Sequence, residues 1–139
     1  AVGVGGAARA APRWWRATGG ALLTRLRRRS PREQALRELE RIRSLGWHRN
    51  GRMEDFYASS TATLREFARE LEPDWNAGLT STELLRKIEE RWGTEGAEQI
   101  VEAIAAAERV KFGYHRPAAD AAEADWARIR EWVRGAPES

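Results

Sequence analysis

The chain has 139 residues, 42% hydrophobic and 32% charged, which is an ordinary globular composition for one domain with a tail. It contains no cysteine, which excludes disulfides, zinc–thiolate centres and thiol catalysis. The net charge of +3 averages two unlike parts: residues 1 to 30 carry seven arginines and no acid, while residues 31 to 139 hold the other 17 basic and all 21 acidic residues, a balance of −4.

The first part, residues 1–29, reads as a basic arm. Trp14 and Trp15 stand between Arg13 and Arg16. Leu22, Leu23 and Leu26 then form an apolar ridge beside Arg25, Arg27, Arg28 and Arg29. Indole has an apolar body and one N–H donor, which suits a water–lipid boundary. Arginine lays its stem along apolar groups while its head reaches phosphate. All eleven residues are therefore candidate membrane or partner contacts. The segment has the make-up of an interfacial element, expected to meet an anionic lipid surface or integral membrane protein subunits. Docking on a protein through arginine–acid pairs is the plainer alternative. No stretch reaches the ~20 apolar residues of a membrane span, and a secretory signal fits badly because the arginines run on to Arg29.

Residues 30–135 read as an all-α domain of about five helices. Ser30-Pro31-Arg32-Glu33 has the pattern of a capping box, followed by Ala35, Leu39, Ile42 and Leu45, with Leu36 beside them, at helical spacing. Gly46 is a stop, and W-H-R-N-G after it is a loop. A second helix is predicted over about Met53 to Leu71, with Met53, Phe56, Tyr57, Leu64, Phe67, Ala68 and Leu71 inward, broken by Pro73. Thr80-Ser81-Thr82-Glu83 is a second capping box, before Leu84, Leu85, Ile88 and Trp92. A fourth helix is expected over Glu95 to Glu108, with Ile100, Val101, Ile104 and Ala105 inward, and Val110-Lys111-Phe112 as a short extended stretch. Pro117 opens a fifth helix through Val133, striped by Ala122, Trp126, Ile129, Trp132 and Val133. Residues 136–139 are expected to fray.

Seven tryptophans are many for this length. Trp92, Trp126 and Trp132 lie on apolar stripes and are read as core. Trp47 and Trp75 fall in loops, as lids on the core or partner contacts.

His48 and His115 sit in separate loops without partners at ligand spacing and are read as surface residues, so no metal is expected. Glu38 with Arg41, and Glu66 and Glu70 beside Arg69, read as solvated helix faces. No G-x-S-x-G and no phosphate-binding loop with lysine occurs. Gly3-Val4-Gly5-Gly6-Ala7-Ala8 matches G-x-G-x-x-A in letters but lacks the strand before it and the long helix after it, since Pro12 follows. The expectation is a non-enzymatic protein without cofactor or small-molecule substrate.

DNA association is the alternative, because short helices and an arginine-rich arm occur in helix-turn-helix proteins. Against it, the loop between the second and third helices is about eight residues. The fourth helix also carries Glu95, Glu98, Glu102 and Glu108, which would face phosphates with like charge, so no specific nucleic acid partner is expected.

Four segments carry a resemblance: A-L-R-E-L-E-R-I (35–42), M-E-D-F-Y-A-S-S-T-A-T-L-R-E-F (53–67), L-T-S-T-E-L-L-R-K-I (79–88) and E-R-V-K-F-G (108–113). Their order resembles the soluble cytoplasmic domain of small bacterial membrane proteins of unknown function, encoded near aerotolerance-type von Willebrand factor A proteins and an AAA ATPase. Two departures stand out: Glu108 replaces the usual aspartate, and no span precedes the arginine-rich stretch. The resemblance implies a helical docking module at the cytoplasmic face of the inner membrane. The chain would be peripheral there, or the tail of a membrane-anchored precursor.

Overall fold

Five apolar stripes make five helices. The computed structural model describes residues 29–76 and 78–137 and divides the chain into two units, Ala1–Ser30 and Pro31–Ser139. The described helices lie in the second: α1 (Pro31–Ser44), α2 (Met53–Leu71), α3 (Ser81–Trp92), α4 (Thr94–Lys111) and α5 (Ala119–Gly135), with a 3₁₀ turn at Trp47–Arg49. No strand occurs among the described residues.

Helices α2 and α5 touch each other, and both touch α1 and α4; α3 packs on α4. The centre is formed by Leu39 and Ile42 from α1, Phe56, Leu64 and Phe67 from α2, Ile88 from α3, Ile100 and Val110 from α4, and Ile129 and Val133 from α5. Each such side chain contributes about 1.5–3 kcal/mol by leaving water. Hydrogen-bonded straps join α1 to α5, the Arg43–Glu123 pair among them. Trp126 Nε1 donates to the Leu39 carbonyl at 2.8 Å. Arg32 donates to the carbonyls of Val133 (3.1 Å) and Ala136, placing a cation at the negative end of α5.

The start of α3 is the capping box expected of its sequence. Thr80 Oγ1 accepts from the Glu83 amide, and the Thr80 amide donates to Glu83 Oε1. That amide holds the Glu83 carboxyl below its usual range. Helix α2 spans the predicted residues, because Pro73 leaves no route for continuation.

Several expectations are corrected. Val110 and Lys111 are helical, not extended: Val110 is fully buried and prolongs the stripe of Ile100, Ala103, Ile104 and Ala106. Val101 and Leu45, expected inside, are exposed, and Ala105 is only half-buried. The loop at residues 47–49 is a 3₁₀ turn, and the fifth helix begins at Ala119, two residues past Pro117. Ala136, placed with the fraying tail, is buried and tied to Arg32.

His48 is also corrected. It is buried, with its ring stacked on Phe56 at 4.1 Å and its Nε2 3.1 Å from Glu123 Oε1. The Glu123 carboxyl is held down to about 2, first by Arg49, then by His48 and Arg43. A carboxylate only accepts, so the His48 proton sits on Nε2. His115 is half-buried.

Candidate functional site

Open grooves flank the middle of α2. Its middle reads A-S-S-T-A-T (58–63), a run too small to fill the space between helices. A groove of about 540 Å³ runs along it between α2, α3 and α4. The floor is Leu64, Leu84 and Ile104, and Ala58, Ala62 and Leu79 form its shoulders.

A polar chain closes one side of this groove. Arg65 Nη1 donates to the Leu79 carbonyl at 2.7 Å, and its Nη2 to Ser81 Oγ at 3.2 Å. Ser81 Oγ in turn donates to Glu108 Oε2 at 2.7 Å. The chain ties α2, the 72–80 loop, α3 and α4 together. The Ser81 proton is committed to a carboxylate and its lone pair to a guanidinium, so the hydroxyl acts as a brace.

Tyr57 forms part of the wall. Its hydroxyl donates inward to Asp125 Oδ2, whose other oxygen accepts from Arg128 at 2.6 Å. Burial, and then the carboxylate, push the Tyr57 hydroxyl well above its ordinary pKa. Glu54, Asp55 and Lys111 stand on the rim.

A second groove, of about 470 Å³, lies on the other side of α2, against α1. Glu38, Glu66 and Glu70 line it around Ala35, Ala62 and Phe67. Ala62 lines both grooves, as well as a smaller one beside Trp75, so it marks the crest between them. The expected helix-face pairs are present here: Arg41 holds Glu38, and Arg69 holds Glu66.

Of the candidate contacts in the arm, Arg13, Trp14, Trp15, Arg16, Leu22, Leu23, Arg25, Leu26, Arg27 and Arg28 lie outside the described residues; Arg29 is exposed. Trp47 and Trp75 are half-buried and pack against the core. Arg52 caps the Trp47 ring at 4.9 Å. Trp75 begins a ladder of edge-on rings through Trp92 and Trp132 to Phe67, with centroids 5.4–5.8 Å apart. Trp126 and Trp132 are core, as expected, and Trp92 is half-buried against it.

Sequence reading passed over the α2 groove, although the interruption of large apolar residues between Tyr57 and Leu64 was visible. No cluster of metal-ligating side chains occurs among the described residues, and no described helix is long and apolar enough to cross a membrane. No family model, curated protein or solved structure matches the chain.

Proposed function

We propose that the chain is a non-enzymatic accessory subunit that docks at the cytoplasmic face of a bacterial membrane protein complex. The arm lies against the anionic lipid surface, and the body grips a basic juxtamembrane segment of an integral subunit. The observation that carries this reading is the partition of charge: seven arginines with a tryptophan pair in residues 1–30, against a body of −4. Cytoplasmic segments of membrane subunits are rich in lysine and arginine. The grooves beside α2 offer such a segment an apolar floor with Glu70 on one side and Glu54 on the other, beside Glu38, Glu66 and Asp55, which a partner would share with Arg41, Arg69 and Arg52. Exposed alanines on the crest let a partner backbone approach closely. The resemblance of four segments, in their order, to small bacterial membrane proteins favours the same reading.

Purification of the native protein in mild detergent, with its companions identified by mass spectrometry, tests it. A defined set of integral membrane subunits is expected. Ala62→Arg places a cation on the crest without touching the core, so its melting temperature should hold while the companions are lost. A chain recovered alone from the soluble fraction overturns the membrane reading. A variant that keeps every companion overturns the groove.

A further inference from the structure

Helix α4 ends in a turn that displays two aromatic rings. Gly113 adopts φ +78°, its amide donates to the Val110 carbonyl, and the Tyr114 amide donates to that of Arg109 at 2.8 Å. This is the Schellman arrangement, in which the residue after the glycine ordinarily folds an apolar side chain back onto the helix. Here that residue is Tyr114, 83% exposed, and the position it would cover is Arg109. Phe112, just before the glycine, is 59% exposed. The hydrogen-bonded turn fixes the backbone, and both rings stand largely in solvent.

Within the turn itself, residues 109–116, the formal charges are all positive, while Glu54 and Asp55 share the groove rim with Lys111. Arg109, Lys111 and Arg116 are exposed and form no ion pair among the described residues, whereas Arg41, Arg49, Arg52, Arg69 and Arg128 each hold a carboxylate. Lys111 sits 5.4 Å from the Phe112 centroid, covering one face of that ring. Glu108 is spent on Ser81, and Asp120 lies against Arg49. Farther back on α4, Glu102 is nine residues from Lys111, about 14 Å along the axis. That exceeds the screening length of about 8 Å.

From this we infer that the turn at residues 109–116 is a lipid-contact point of the body, seating Phe112 and Tyr114 at the headgroup level of an anionic bilayer while Arg109, Lys111 and Arg116 meet its phosphates. Amphipathic aromatic rings favour that boundary, and each nearby cation adds to the attraction. The covered face of Phe112 disfavours base stacking, which single-stranded nucleic acid would require. The inference rests on the membrane reading above and adds a second anchor separate from the arm.

The absence of cysteine makes the test local. In the full chain, His115→Cys carries an environment-sensitive fluorophore, with Glu98→Cys, exposed on α4, as the control position. Vesicles of phosphatidylcholine with 25% phosphatidylglycerol are the probe. A blue shift at position 115 only, absent with pure phosphatidylcholine, is expected. Phe112→Ser with Tyr114→Ser should abolish that shift. Lys111→Gln with Arg116→Gln should weaken vesicle binding by roughly tenfold or more, since each basic residue contributes about 1 kcal/mol. If the chain sediments with vesicles while the label at 115 stays unchanged, the turn is not an anchor and the arm reading survives. If nothing sediments, both fall. A shift produced by an oligonucleotide and not by vesicles also overturns the proposal.

Discussion

His48 lies flat on Phe56 and points its Nε2 at Glu123, so one carboxylate of α5 is shared by the 3₁₀ turn and, through Arg43, by α1. Arg49 completes the cluster at 2.8 Å. Glu123 titrates near 2 in the folded chain and near 4.3 when unfolded, so the native state favours its ionised form. That stability is present in full above about pH 4.5 and is lost as pH falls toward 2. The side chain is 24% exposed, and solvent screening reduces the contribution to about 1–2 kcal/mol. Glu123→Gln should therefore lower stability by that amount at pH 7, with the gap to wild type closing between pH 4.5 and 2. Urea unfolding across that range reads it, and a gap independent of pH would refute the assignment.

The buried hydrogen bond from Tyr57 to Asp125 is a second clamp, between α2 and α5. Tyr57→Phe removes the donor and leaves a carboxylate, 8% exposed, with Arg128 as its remaining side-chain partner among the described residues. A loss of about 1–3 kcal/mol is expected. Equal urea midpoints for variant and parent would show that the bond adds nothing.

Ile100 and Val101 are neighbours on α4 with opposite fates, one fully buried and the other 38% exposed. Ile100→Ala should cost about 2–5 kcal/mol, because the core closes only partly over the space left. Val101→Ala should stay within about 0.5 kcal/mol. Thermal melts of the pair measure the difference, and similar losses would mean that α4 is rotated from its described face.

Two glycines should respond with opposite signs. At Gly113 an added Cβ meets no atom within 4 Å, but the left-handed backbone penalises any side chain, so Gly113→Ala should cost about 1 kcal/mol. Gly135 closes α5 with equal space and no such backbone, and Gly135→Ala should add roughly 0.4–1 kcal/mol. Calorimetry on both variants decides; destabilisation by Gly135→Ala would count against the helical end of α5.

The helices were legible where two local signals agreed. Thr80 with Glu83 fixes the start of α3, and Pro73 fixes the end of α2. At Val110-Lys111-Phe112 the signals conflicted. A β-branched residue two positions before an aromatic favours extension, yet Val110 continues the apolar spacing from Ile100, and the helix wins because that side chain is buried. His48 was misread because its partner, Glu123, is 75 residues away and no local pattern announces it. Buried Ser60 and Asp125 escaped for related reasons. Ser60 is satisfied by its own helix through the Phe56 carbonyl, and Asp125 by Tyr57 across the core. The groove beside α2 depends on how α1, α3 and α4 flank the small residues, which spacing along one helix does not encode.

The grip of Arg32 on the carbonyls of Val133 and Ala136 has a topological consequence. It brings the first turn of α1 onto the last turn of α5, so the helical body is a nearly closed circle of polypeptide. A short glycine-rich bridge from Pro137 to Pro31 would complete the circle, and new termini could be cut at the exposed Pro73-Asp74 corner without parting any helix from its neighbours. Such a rearranged body would carry its first and last residues at a site now internal to the chain.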